Sequence, residues 1–315
     1  MLIRLNYIGR DYMKEVNNIK GHGAAFVTIM VWGTTFIATK ILLTNFRPIE
    51  VLFYRFSIGL LVLLAVYPHR LAWTGKKREL MFMAAGLCGV TLYYLLEIMA
   101  ITYSAVSNVG VIISAAPFFT ALLANRFLDG EKPKRNFFVG FFAAITGISL
   151  ISFNASTVLK LNPIGDLLAL MAAAAWASYS ILARKISQFG YNTIQTTRRI
   201  FYYGLAFMTP SMLLFRFEWG LERFMQPVNL FNILFLGMGA SALCFVTWNF
   251  AVKHLGAVKT SVYIYLGPVV TVVTSVIVLK EKITWMSALG TVLTLAGLFV
   301  SEKKVKESRK KYSSG

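Results

Sequence analysis

Residues 107–131 read SNVGVIISAAPFFTALLANRFLDGE, and residues 258–281 read VKTSVYIYLGPVVTVVTSVIVLKE. Laid side by side at an offset of 151, falling to 150 after a one-residue gap, they place Pro117 on Pro268 and Glu131 on Glu281. The match runs over 104–153 and 255–301, adding Gly140 on Gly290 and Gly147 on Gly297. Earlier in the chain, at an offset of 144, Trp32 falls on Trp176, Lys40 on Arg184 and Arg55 on Arg199. The matches keep their order along both halves, so the chain reads as two copies of one unit.

Each copy is made of long apolar blocks. Of 315 residues 57% are hydrophobic and 14% charged, where a soluble domain carries about 25% charged residues. The mean hydropathy is +0.64. This composition excludes a disordered chain and a disulfide scaffold, the cysteines being Cys88 and Cys244 alone. A bilayer core of about 30 Å takes roughly 20 apolar residues as a helix. Ten such blocks can be drawn, near 22–43, 48–67, 79–102, 104–128, 134–153, 163–187, 192–217, 227–253, 257–280 and 284–301. Five spans per copy is an odd number, so the copies must have opposite topology. Inverted repeats around a midplane site mark secondary transporters. The expected fold is therefore an all-α integral membrane protein of ten transmembrane helices in two inverted five-helix repeats, 22–153 and 163–301. A lead at 1–21 and a basic tail at 302–315 flank them.

The formal charge of +19 fits a membrane rather than a nucleic acid partner. With both termini inside, 22 of the 32 Lys and Arg fall in inside segments and 6 in outside ones, as the positive-inside rule requires. The remaining four, Lys40, Arg55, Arg198 and Arg199, lie within spans. Anionic lipid is the partner this charge implies, and the expected location is the cell (inner or plasma) membrane. The first apolar block ends without a small-residue cleavage site, so no cleaved signal peptide is expected.

Several local runs carry a resemblance. The Trp-Gly-Thr-Thr-Phe run at Trp32 to Phe36, the Arg55-Phe56 pair, and the stretch from Ser107 through Pro117 to Glu131 before a glycine-rich fifth span are together similar to the drug/metabolite transporter superfamily. Its EamA-type permeases are the nearest branch, and the similarity covers about residues 22–301. The resemblance implies a ten-helix bundle that moves small metabolites, often amino acids or related solutes, across the inner membrane. No single motif names a substrate.

Candidate pathway residues come in pseudo-equivalent pairs. A proline in mid-helix removes one backbone hydrogen bond and frees a carbonyl four residues back, here at Ile113 and Ile264. Paired interruptions in two halves point to a transport site, though each proline alone also suits a packing kink. Ser114 and Tyr265 precede Pro117 and Pro268 by three residues, and Ser261, Tyr265, Pro268 and Ser275 share a helical face. Thr28, Trp32, Thr35 and Thr39 form one stripe on the first span, answered by Trp176 and Tyr179 in the sixth. Tyr94 and Glu97 correspond to Phe245 and Trp248. Trp32, Ser114, Trp176 and Tyr265 are expected to border one cavity between the halves.

Intramembrane charge is costly and usually faces the interior. Lys40, Arg55 and Glu97 reach similar depth from the outer side, so an Arg55–Glu97 ion pair within about 4 Å is expected in at least one state, with Lys40 as a third member. It serves either as a structural bridge or as a gate or substrate clamp. Arg198 and Arg199 lie in the inner leaflet without an acidic neighbour in sequence; lipid phosphate or a substrate carboxylate would complete them. The paired glycines at Gly140/Gly147 and Gly290/Gly297 suit close packing of spans five and ten.

No nucleotide-binding glycine run is present. Ser241 with His254 is a weak trace of a membrane hydrolase, since the two lie about 20 Å apart along a helix. A non-transporting receptor or scaffold is the remaining alternative, and pairing into a homodimer stays open. No enzyme activity, cofactor, metal or nucleic acid partner is expected. Glu97 is the one carboxylate well inside a predicted span, so uncoupled transport or exchange is favoured over a proton relay.

Overall fold

In hydrocarbon a backbone N–H or C=O that finds no partner costs several kcal/mol, so a spanning chain closes its hydrogen bonds within helices. The computed structural model describes residues 2–104, 106–153, 162–279 and 284–302, and contains no strand among them. Glu281, Lys160, Lys280, Lys282, the basic tail from Lys303, and the side chains of Ser107 and Ser275 lie outside the described set.

The chain runs through α1 (Leu2–Leu42) and α2 (Pro48–Val66), then α3 (Lys76–Gly86), which passes through a π-helical stretch at Leu87–Leu92 into α4 (Tyr93–Tyr103). Next come α5 (Val106–Ile113), α6 (Ala116–Phe127) and α7 (Arg135–Phe153), then α8 (Pro163–Ser187) and α9 (Thr193–Leu214). A second π-helical stretch, Phe235–Leu243, joins α10 (Pro227–Leu234) to α11 (Cys244–Leu255). A 3-10 turn at Tyr263–Tyr265 joins α12 (Ala257–Val262) to α13 (Leu266–Leu279), and α14 (Trp285–Glu302) follows. Eight of these helical runs are long and apolar enough to cross a membrane. The seventh and tenth sequence blocks, α9 and α14, are not among the eight; α9 carries Arg198 and Arg199 in its first two turns and the apolar run of α14 is short, Trp285–Ser301. The chain is thus a multi-pass, all-helical membrane protein.

Two boundaries with weak sequence signals are made by different means. Ser104 leaves α4 in an extended conformation and its Oγ donates to Asp166 Oδ1 at 2.9 Å, at the start of α8. Gly256 ends α11 at φ 92°, a backbone state that disfavours any side chain. The helix that carries the first candidate span, Glu15–Leu42, starts at Leu2.

Helices of the other half pack closely at or beside both π-helical stretches. A Cβ on Gly86 would lie 2.6 Å from Ile200 O and 2.7 Å from Gly204 N of α9, and Thr91 Oγ1 donates to Gly204 O at 2.8 Å. A Cβ on Gly237 would meet Ile58 of α2 at 2.5 Å. So α9 of the second half lies on the first π stretch, and α2 of the first half lies on the second. The halves are cross-braced. A separate crossing joins α7 to α14: a Cβ on Gly147 would lie 2.5 Å from Gly290 O and 2.6 Å from Thr294 N.

At that crossing the atoms met are backbone, so neither helix yields without moving. Gly147→Ala and Gly297→Ala should each cost about 1–3 kcal/mol, the range for overpacking, and lower the melting temperature in detergent. Gly23→Ala, where a Cβ meets nothing within 4 Å, should leave it unchanged or raise it.

Candidate functional site

The helix arrangement gathers three tryptophans that are far apart in sequence. Trp32 on α1 meets Trp176 on α8 edge-on, ring centroids 5.3 Å apart, and lies 5.3 Å from Trp248 on α11. Trp176 and Trp248 are 5.8 Å apart, and Tyr93 reaches Trp176 at 5.0 Å. These spacings fall in the range of directly packed aromatic pairs. Trp248 is fully buried and Trp176 is 4% exposed. The tryptophans thus form a packed plug between the halves in this conformation.

Of the residues expected beside them, Tyr265 falls in a different packed cluster. Tyr265 packs with Phe137, Phe141 and Leu298, in the cluster around α7 and α14. The 3-10 turn at Tyr263–Tyr265 changes the helical register ahead of Pro268, so the face drawn through Ser261, Tyr265 and Pro268 on regular spacing does not hold. Ser114 Oγ donates to Gly110 O at 2.7 Å, at the break between α5 and α6 that precedes Pro117. Thr35 Oγ1 likewise donates to its own helix, at Trp32 O. Pro117 is buried at the first turn of α6, and Pro268 is half-buried in α13.

Arg55 is 6% exposed. Its Nε donates to Ser241 Oγ at 3.0 Å, and its guanidinium lies over the Phe56 and Tyr94 rings at 5.2 and 5.0 Å. Glu97 accepts from Tyr93 OH at 3.4 Å. Tyr93 and Tyr94 adjoin, centroids 4.8 Å apart, and so connect the two charges. Arg55 and Glu97 make no ion pair with each other in this conformation, nor with another described residue. Lys40 is exposed at the end of α1 and takes no part.

The two arginines of α9 are tied down. Arg199 Nη1 pairs with Glu79 Oε1 at 2.6 Å, and Glu79 also accepts from Tyr203 OH at 2.7 Å and from the Thr74 N–H and hydroxyl. Arg198 donates to the carbonyls of Tyr67 and His69, both at 2.7 Å. No substrate carboxylate is needed to complete them. At the other end of α2, buried Glu50 pairs with Arg223 at 2.8 Å and accepts from Glu218 N–H. A third clamp centres on Glu131, whose Oε1 lies 2.5 Å from Arg184 Nε and whose Oε2 accepts from Ala257 N–H at 2.7 Å. Sequence reasoning missed Glu50 and Glu79 because both lie at predicted span ends. Glu131 and Arg184 were visible as repeat-matched positions, though not as a pair.

A polar thread was also missed. Tyr179 OH donates to Asn249 Oδ1 at 2.8 Å, and Asn249 Nδ2 donates to Thr197 Oγ1 at 3.0 Å. Below it Asn249, Thr193, Thr196, Tyr191 and Lys253 line a recess with room for about one water. Among the described residues no cluster of metal-ligand type occurs.

Comparison with known proteins agrees with this architecture. The model of the EamA-like transporter family matches residues 19–153 and again 163–302. An uncharacterized transporter of Archaeoglobus fulgidus is 27% identical over 91% of this chain and 99% of its own length. A probable amino-acid metabolite efflux pump of Salmonella typhimurium is 22% identical over 88% of this chain and 93% of its own. A solved crystal structure, 20% identical, superposes with a TM-score of 0.72 over 90% of this chain and 96% of that one, so the fold is shared.

The clamps differ in burial, and their worth should follow. Glu79 is 2% exposed and holds four donors; Glu79→Ala takes the carboxylate from Arg199, whose Nη2 keeps the Leu71 carbonyl, and should cost up to about 3 kcal/mol, the low end for a broken buried pair. Arg47→Ala opens an ion pair to Glu218 whose side chains are 45% and 62% exposed, and should cost about 0–1 kcal/mol through that pair. Melting of the purified variants measures both.

Proposed function

The chain belongs to the EamA-like transporter family, and from that premise we propose a secondary transporter that exports small metabolites, amino acids or related solutes, across the cytoplasmic membrane. The observation that carries this reading is the pair of opposite charges left without ionic partners. Arg55 and Glu97 stand beside an aromatic plug drawn from both family-matched segments, Trp32 and Tyr93 from the first, Trp176 and Trp248 from the second. A lone charge at mid-bilayer costs about 2.5–3.5 kcal/mol on insertion scales. A zwitterion relieves both at once, its carboxylate on the guanidinium and its ammonium on Glu97. The aromatic rings suit whatever apolar group it carries.

The proposed arrangement is ten spans in two inverted repeats, with α9 and α14 as the seventh and tenth and both termini cytoplasmic. Three features support it: the Lys and Arg bias of the loops, the π-helical stretches at 87–92 and 235–243, and the helix breaks ahead of Pro117 and Pro268. Trp32, Trp176, Trp248, Tyr179, Arg55 and Glu97 are assigned to the solute pathway, and Arg199 to a structural clamp.

Reporter fusions should place both termini and the loops near Lys77 and Lys134 on the cytoplasmic side; a periplasmic C-terminus would overturn the inverted arrangement. Vesicles loaded with a metabolite panel should release zwitterionic solutes faster than protein-free vesicles. A hydrogen bond to a charged group contributes about 1.5–3 kcal/mol, so Glu97→Gln should slow release by about tenfold or more at equal abundance. Equal release by Glu97→Gln and wild type would remove Glu97 from the site.

A further inference from the structure

Buried polar atoms nearly always find a hydrogen-bond partner, and a buried indole N–H is no exception. Trp32 obeys, its Nε1 donating to Ala240 O at 2.9 Å. Its two neighbours do not. Nε1 of Trp176 and Nε1 of Trp248 are both buried with no partner among the described residues. The rings touch, and both belong to the plug beside Tyr93, the residue that donates to Glu97.

Packing gives no reason for these two N–H groups. A phenylalanine at either position fills an apolar space without leaving a donor dry. No acceptor is brought to either Nε1: neighbouring Phe245 has none, Trp176 O accepts from Ser180 Oγ, and Tyr179 OH is turned toward Asn249, to which it donates. Together with the guanidinium of Arg55, the site holds an excess of donors over one carboxylate, Glu97. A ligand that balances this inventory brings oxygen acceptors. A carboxylate brings the most, two oxygens with about four lone-pair sites.

We propose that the indole N–H groups of Trp176 and Trp248 donate to the carboxylate of the transported solute and select carboxylate-bearing solutes over their decarboxylated analogues. This rests on the transport reading of the same site. It makes two distinct demands. Removing a dry donor breaks no hydrogen bond in the solute-free protein, whereas the loaded protein loses one to a charged group.

The test uses the purified full-length chain with Trp176→Phe, Trp248→Phe and Trp32→Phe. Melting without solute should fall less for the first two than for Trp32→Phe, since all three lose ring volume and only the last also breaks a formed bond. Proteoliposomes loaded with L-leucine, L-phenylalanine or L-threonine, and in parallel with the matching amines, give the second readout. For the amino acid that wild type releases, Trp176→Phe and Trp248→Phe should each raise the half-saturating concentration about tenfold, and that of its amine less than twofold. Three results overturn the assignment while transport stands: unchanged half-saturation, an equal rise for acid and amine, or a fall in melting of solute-free Trp176→Phe and Trp248→Phe as large as that of Trp32→Phe. Failure of wild type to release any of these amino acids faster than empty liposomes would overturn it too; failure across the wider metabolite panel as well would remove the transport reading with it.

Discussion

Hydrocarbon offers no hydrogen bonds, and the structure is organised around that lack. The backbone answers it with helices. The side chains answer it with clamps: Glu79 gathers donors from Thr74, Arg199 and Tyr203, and Glu131 gathers Arg184 and the start of α12. Few groups escape this accounting. The unpartnered indoles and the unpaired Arg55 and Glu97 stand out because nearly everything around them is satisfied.

The clamps also constrain how the bundle moves. Glu50, at the start of α2, pairs with Arg223, and Glu79 of α3 pairs with Arg199 of α9, both in the same structure. Each joins a helix of one half to a segment of the other. In this conformation both pairs brace the bundle at once. The π-helical stretches act with them, since Gly86 and Gly237 let the bracing helices α9 and α2 approach to backbone contact. The rigid frame thus consists of α2, α9 and the two π stretches. Trp32, Trp176 and Trp248 pack against one another across the two family-matched segments.

The arginines show where sequence reading reaches its limit. Arg55 and Arg199 fall on each other in the internal alignment, yet one remains unpaired and the other is held by Glu79. Repeat equivalence matches positions along the chain; it carries no information about the partner that a different loop delivers. Tyr265 failed for a related reason. Its helical face was drawn on a regular period, and the 3-10 turn beginning at Tyr263 rotates it toward α7 and α14.

Sequence by itself determined the solvent and the architecture class. Apolar blocks of bilayer length admit only helices, glycine pairs at matched positions mark the α7–α14 crossing, and the span boundaries at Ser104 and Gly256 fall where they were drawn. These are local or periodic properties, written in hydropathy and order. Only the tertiary structure decided which polar groups are satisfied. Hydrogen bonding is settled at 2.5–3.5 Å between residues such as Arg199 and Glu79, 120 positions apart, and no pattern along the chain encodes a distance of that kind.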